Sequence, residues 1–150
     1  MSTHPDLEPV REKLATETGL VEVVTIRASG KPLIAVVNAG IIQHPSGTHD
    51  VVAFISVGSA IKLQHLRARP QITVAARRGW NWIAVDGTAE LAGPNDPHPA
   101  VSADAVPALL RAIFSAAGGT HDDWDEFDRV MVEEQRCAVL ITPDRVYPTS

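Results

Sequence analysis

The feature that most constrains the fold of this chain is a succession of short segments rich in β-branched residues and separated by turn sequences. Such segments favour β-strands, and short turns between them join neighbouring strands in antiparallel fashion. The predicted strands cover residues 20–27, 32–42, 51–57, 71–77, 80–91 and 137–142. An open sheet of this size would leave two edges exposed, so the pattern predicts a closed or half-open six-stranded antiparallel barrel.

Helical segments interrupt and flank these strands. The spacing of apolar residues predicts a leading helix over 5–18, which Gly19 ends, and a crossover helix over 59–69, which Ser59 caps. Two further helices are predicted over 105–119 and 120–136, the second with Thr120 as its cap and Asp123 as the acid of a capping box. Gly87 predicts a bulge in the fifth strand.

These elements predict one mainly β (α+β) domain over residues 1–150. It comprises an N-terminal helix (1–18), a barrel core (19–92), a loop with two helices (93–136), and a last strand and tail (137–150). The hydrophobic content of 45% is enough for a core that needs no disulfide or metal ion to stabilise it.

Composition restricts the cellular setting and the partners. Cys137 is the only cysteine, which excludes an intramolecular disulfide and a thiolate zinc site. No signal segment opens the chain, and the longest apolar run is too short to span a bilayer, so we expect a soluble cytoplasmic protein. The net charge of −5 argues against nucleic acid as a general partner.

The charge is distributed unevenly, however. Residues 51–85 contain no Asp or Glu, although five cations fall in this window: Lys62, Arg67, Arg69, Arg77 and Arg78. This distribution predicts one discrete anion site. The start of the predicted crossover helix suits it, since a helix N-terminus attracts phosphate. Lys62 lies in the first turn, and His65 and Arg69 follow on roughly the same face; the alternative is a solvated basic face.

Two tryptophans follow this basic stretch. Trp80 and Trp82 share one face of the predicted fifth strand, where two indoles suit a planar ligand. Core packing is the alternative for at least one of them. Trp80 is the ligand candidate because it lies nearer the turn.

No metal site and no catalytic side chain are predicted. The acidic run at 121–126 is explained by helix capping, and the remaining histidines show no metal-binding spacing. The sequence has no nucleophile elbow and no Rossmann or Walker loop, and Cys137 is expected to pack as a small hydrophobe. Any redox role therefore needs a cofactor that is bound without a Rossmann or Walker loop.

The order of three runs resembles a known family. Residues 25–38 (TIRASGKPLIAVVN), 56–76 (SVGSAIKLQHLRARPQITVAA) and 78–91 (RGWNWIAVDGTAEL) resemble the pyridoxamine 5′-phosphate oxidase-like split β-barrel group. In particular they resemble its actinobacterial branch, which uses the deazaflavin coenzyme F420. The segment 120–148 is similar to the end of that branch, so the likeness covers about residues 19–147.

The resemblance implies an FMN-binding type of split barrel that works as a homodimer, with the cofactor in a groove between the two subunits. The family's phosphate-binding lysine falls on Lys62, its serine near the flavin ring on Ser56, and its ring-side tryptophan on Trp80. Backbone contacts to the ring would come from Ala35, Val36, Val37 and Asn38. Ser59, His65 and Arg67 complete the candidate cofactor-binding set.

The implied activity is that of an F420-dependent oxidoreductase, which transfers hydride from reduced F420 to an unsaturated or quinone-like small molecule. Val36, Ala60 and His65 depart from the pattern of that branch, which often carries polar residues at these positions. FMN therefore stays an alternative cofactor. A carrier of FMN or haem without turnover is the alternative function, and an RNA-binding barrel is a third hypothesis based on the basic window alone.

Overall fold

A computed structural model describes residues 4–16 and 18–148 of the chain. The helices are α1 Glu8–Thr16, α2 Ile61–Ala68, α3 Val106–Ala116 and α4 Trp124–Glu133. The strands are β1 Leu20–Ile26, β2 Pro32–Gln43, β3 Asp50–Ser56, β4 Gln71–Arg78, β5 Asn81–Ala92 and β6 Cys137–Tyr147. None of the helices in this part of the chain is long and apolar enough to cross a bilayer.

The strands close into a barrel in the order β1-β2-β3-β6-β5-β4, and every pair is antiparallel. This confirms the predicted six-stranded barrel with a crossover helix and peripheral helices. The predicted bulge is also confirmed, because the register of β5 and β6 shifts between Asp86 and Gly87. A Cβ on Gly87 would lie 2.5 Å from Ile141 Cγ2, so the close approach of β6 requires glycine there.

Two hydrophobic clusters hold the structure together. The first fills the barrel and includes Leu63 and Leu66 of α2, which are buried where the crossover passes from β3 to β4. The second lies outside the barrel, where Leu110 and Ile113 of α3 and Phe127 of α4 cover the outer sides of β3 and β6. Because both sides of β3 and of the first half of β6 are covered, residues 51–55 and 137–141 are continuously apolar rather than alternating.

Some predicted boundaries and caps are wrong. The residue at the N-cap of α2 is Ala60, without a side-chain cap, so Ser59 does not cap this helix. The cap of α4 is Asp123, whose carboxylate accepts a hydrogen bond from the Glu126 amide, and not Thr120. The last strand runs on to Tyr147, five residues beyond the predicted end, because Asp86 and its neighbours on β5 pair with it. Residues 1–3, 17 and 149–150 of the predicted N-terminal helix and C-terminal tail lie outside the described residues.

Candidate functional site

The candidate site lies where the barrel splits between β2 and β3. The ladder between these strands ends at the pair Ala39 and Phe54. Beyond it, residues 36–38 of β2 pair only with β1, and residues 55–56 of β3 pair only with β6. Both strand ends line one cavity of about 650 Å³, which α3 and α4 cover on the other side. Backbone groups at the split are thus available to a ligand rather than to a neighbouring strand.

Lys62 lies in this cavity, in the first turn of α2. Its side chain is half-buried, and no described residue forms an ion pair or a hydrogen bond with its ammonium group. Burial lowers the pKa of Lys62, and the nearby positive charge of Arg136 lowers it further. A desolvated cation without an anionic partner is the arrangement expected of a site that receives an anion from outside the chain.

Arg136 is the second cation in the cavity, and sequence reasoning missed it. It directly precedes β6, and Glu134 accepts hydrogen bonds from its guanidinium at 3.0 and 3.1 Å. Gly58 permits its approach: the Gly58 amide donates to Glu134 O at 3.2 Å, and a Cβ on Gly58 would lie 2.4 Å from Gln135 O. The sequence shows a glycine before the crossover helix, but it does not show that the backbone before Arg136 packs against this glycine.

The remaining walls are mainly apolar, with a few polar groups at the split. Ser56 is buried, and its hydroxyl donates to Val57 O at 3.1 Å, which leaves its oxygen free to accept. The Asn38 side-chain amide donates to Thr18 O at 3.0 Å. Glu126 of α4 adds one carboxylate to the lining. Most of the other lining side chains are apolar and come from β2, the end of β3, α3 and α4: Val36, Val37, Ile55, Val57, Ile113, Phe114, Phe127, Val130 and Met131. Such walls suit a planar organic group whose charge lies at one end.

His121 also lines the cavity, and sequence analysis had assigned it only to a capping segment. Its Nδ1 accepts a hydrogen bond from the Asp123 amide at 3.0 Å, so the proton of the neutral ring lies on Nε2. Phe114, Trp124 and Phe127 surround the ring, with centroid distances of 5.8 to 6.3 Å. The cavity therefore contains one orientated imidazole among its aromatic side chains.

The structure does not gather the other predicted side chains of the crossover helix with Lys62. His65 Nδ1 lies 3.0 Å from Thr25 Oγ1 on β1, and Arg69 donates to Ile26 O. Arg67 forms a bidentate ion pair with Asp96 at 2.7 and 2.8 Å. The prediction that Lys62, His65 and Arg69 share one anion-binding face is therefore wrong for a single chain, because His65 of α2 and Arg69 directly after it pack against β1.

Ser59 and Ala35 do not line the cavity either. Ser59 is exposed in the turn before α2, whereas Ala35 is partly buried and packs against the barrel core. The alternation of side chains along β2 explains the second case: Ala35 and Val37 point inward, and Val36 points outward. Their predicted roles in cofactor binding remain predictions.

The structure places both tryptophans at the surface, and the role of Trp80 beside a ligand stays a prediction. Trp80 precedes β5, in the turn after β4, is completely exposed, and does not line the cavity of its own chain. Trp82 is 45% exposed and packs edge-on against Tyr147. Neither indole belongs to the core, so the expected core role for at least one of them is wrong. The β4–β5 hairpin instead presents both rings at the surface.

Cys137 lies in the core, as predicted. Its side chain is 1% exposed, and burial raises the pKa of the thiol to about 12. A thiol held neutral in this way is a poor nucleophile, in agreement with a packing role.

Comparison with known proteins identifies the fold. No family model matches the sequence. Among solved structures, a protein named F420 reductase is 14% identical, with 87% of this chain and 90% of that chain covered and a TM-score of 0.59. A pyridoxamine 5′-phosphate oxidase-related, FMN-binding protein from Nostoc punctiforme is 15% identical, with 97% and 84% covered and a TM-score of 0.64.

The haem storage protein HutZ from Vibrio cholerae is 13% identical, with 95% of this chain and 94% of that chain covered and a TM-score of 0.55. The chain therefore has the split β-barrel fold that these proteins share. The predicted resemblance is confirmed at the level of the fold. At such identities the likeness extends no further than the fold.

Proposed function

We propose that the protein binds a deazaflavin of the F420 type in the cavity at the barrel split and transfers hydride from the reduced cofactor to an unsaturated or quinone-like organic acceptor. The observation that carries the proposal is the pair of cations, Lys62 and Arg136, at one apolar cavity. An anionic planar molecule is the ligand that this combination suits best. The fold shared with proteins named F420 reductase and FMN-binding protein supports the choice.

The residues present fit such a cofactor. Lys62 and Arg136 would hold its phosphate, since both are cationic and Lys62 has no acidic partner among the described residues. The backbone of residues 36–38 and the Ser56 hydroxyl would contact the ring system at the split. The cavity volume of about 650 Å³ falls in the range of small-molecule sites, roughly 300–1,000 Å³.

When bound in its reduced form, a deazaflavin supplies a hydride to the acceptor. The side chains around the cavity would orientate the reactants and exclude water, since Ile113, Phe127 and Val130 cover the split from outside the barrel. No acid or base is required for hydride transfer itself.

We infer further that the chain works as a homodimer. The outer side of β1 and β2 carries Leu20, Ile34 and Val36, which are 49%, 65% and 61% exposed. These residues lie on one face because Leu20 pairs with Asn38, which shares the outward direction of Ile34 and Val36. A second copy of the chain would cover this apolar face and the exposed Trp80, which supports the predicted groove between subunits.

A titration of the purified protein with F420, followed by tryptophan fluorescence, tests the cofactor. Trp124 contacts the cavity-lining Phe127, so occupancy should change its emission. We expect saturable binding, and then oxidation of reduced F420 by a panel of quinones and enones. The absence of a saturable change at tens of micromolar would remove the F420 proposal.

Binding without turnover would favour the second candidate, a carrier of FMN or haem. Two apolar residues, Val36 and Ala60, line the cavity where polar contacts to a deazaflavin were expected, which favours looser recognition. The fold shared with a protein named haem storage protein supports this second candidate. The visible spectrum of the protein as purified distinguishes the two, because bound FMN or haem gives it colour.

A further inference from the structure

Four histidines that are far apart in the sequence lie together at one end of the barrel. The rings of His4 and His49 are 4.4 Å apart, those of His44 and His49 are 4.8 Å apart, and those of His44 and His98 are 5.7 Å apart. Sequence analysis predicted no metal site because these residues show no ligand spacing. The fold places two of these histidines beside the carboxylate of Glu90.

The two histidines are His44, directly after β2, and His98, in the loop between β5 and α3. Both direct Nε2 at the same oxygen of Glu90 on β5, at 3.1 Å from His44 and 2.5 Å from His98. The three potential ligand atoms lie within 4.8 Å of one another. The histidine side chains are 7% and 6% exposed, whereas Glu90 is 40% exposed, so the cluster opens to solvent through the carboxylate.

We propose that His44, Glu90 and His98 form a binding site for a divalent transition metal ion, with Zn²⁺ as the best match. Two imidazole nitrogens and one carboxylate oxygen suit Zn²⁺, whereas Ca²⁺ and Mg²⁺ prefer oxygen ligands alone. Zinc bonds of about 2.0–2.2 Å place tetrahedral ligands roughly 3.3 Å apart. The three atoms here lie within 4.8 Å of one another, so small side-chain adjustments would bring them to that spacing. The exposed side of Glu90 leaves a fourth position for water.

The charge balance also favours a cation. Burial raises the pKa of the Glu90 carboxyl, but the hydrogen bonds from His98 and His44 outweigh this effect and lower it overall. Glu90 is therefore anionic at neutral pH, and no Lys or Arg among the described residues pairs with it.

Metal binding requires a change in the position of two protons. Without metal, each Nδ1 accepts a backbone amide, from Ser46 at His44 and from Ala100 at His98, so each Nε2 carries the proton. A metal at Nε2 moves that proton to Nδ1. At His44 the contact from the Ser46 amide would break, and the protonated Nδ1 would donate a hydrogen bond to the Ser46 hydroxyl, 2.7 Å away. At His98 the Ala100 contact would break, so the turn from His98 to Val101 would shift.

The site is separate from the cofactor cavity, since none of its three residues lines that cavity. An ion bound there would tie the end of β2 to the loop after β5 and so raise the melting temperature of the folded protein. The proposal therefore stands independently of the proposed oxidoreductase activity.

Calorimetric titration of untagged, chelator-treated protein with ZnCl₂ tests this site. We expect one Zn²⁺ per chain and a higher melting temperature on binding. Glu90→Gln, which keeps the side-chain size, should weaken binding at least about tenfold, as loss of a ligand normally exceeds the effect of second-shell changes. His49→Gln is the matched control. His49 stacks on His44, but its ring nitrogens are hydrogen-bonded to Thr48 and Thr142 rather than to Glu90.

Two results would overturn the proposal: the absence of saturable Zn²⁺ binding, or an equal loss of affinity in Glu90→Gln and His49→Gln. Nitrogen-15 spectra of the wild-type histidines give a test that needs no variant. Zinc should move the His98 proton from Nε2 to Nδ1, and an unchanged tautomer at saturating zinc would contradict ligation by His98.

Discussion

Lys62, in the first turn of α2, and Arg136, directly before β6, line the same cavity although they are far apart in the sequence. Their proximity lowers the pKa of Lys62 beyond the effect of its burial. Two like charges are unfavourable neighbours in the free protein, and an anion between them would relieve the repulsion.

Replacement of either cation by alanine should weaken cofactor binding with little change in stability. Loss of one charge-assisted contact, worth about 1.5–3 kcal/mol, lowers affinity roughly 10- to 150-fold. Fluorescence titration of Lys62→Ala and Arg136→Ala with F420 or FMN measures the effect. Lys31→Ala, in the exposed β1–β2 turn, is the control and should bind like the wild type. Wild-type affinity in both cavity variants would show that the anion binds elsewhere.

Cofactor affinity should fall as the pH rises into the alkaline range. The phosphate binds the charged ammonium of Lys62, so binding raises the pKa of this group and takes up a proton. Because burial and Arg136 lower the pKa of free Lys62, the loss should begin below the pH at which an ordinary lysine titrates. Dissociation constants measured across this range should rise in the wild type. If the dissociation constant of Lys62→Ala depended on pH in the same way, the titration would belong to another group.

Gly58→Ala should reduce both stability and cofactor affinity. The new Cβ would lie 2.4 Å from Gln135 O, so the segment that carries Arg136 must move away from the start of α2. Overpacking of this kind costs about 1–3 kcal/mol of unfolding free energy, which urea denaturation measures. Gly47→Asn is the control, because this position is open and asparagine tolerates its positive φ. If Gly58→Ala were destabilised but kept its affinity for the cofactor, Arg136 would not be a ligand-binding residue.

Ile34→Glu should convert the proposed dimer into a monomer. Ile34 is 65% exposed on the outer side of β2, so a carboxylate there is harmless in a single chain but would be buried at an interface. Light scattering coupled to size-exclusion chromatography gives the mass. Ala108→Glu, on an exposed position in the first turn of α3, should leave the wild-type mass unchanged. A dimer that persists in Ile34→Glu would place the interface on another surface.

The barrel could be predicted from the sequence because its signals are local. Strands such as 20–27 carry β-branched residues, Gly30 and Gly47 adopt the positive φ of their turns, and Leu63 and Leu66 mark the buried side of the crossover. Lys62 stood out for a similarly local reason, since it lies in a long window without acidic residues. The structure places it in the cavity.

Only the tertiary structure decided which residues accompany Lys62. Helical spacing put His65 and Arg69 on its face, but the packing of α2 on the barrel turns them to β1, and Arg67 pairs with Asp96 from a distant loop. Arg136 reaches the cavity because Gly58 admits the backbone after α4. The cluster of His44, Glu90 and His98 likewise depends on the pairing of strands and on one loop. Periodicity determines which way a side chain faces its own element, whereas long-range packing determines what that side chain meets.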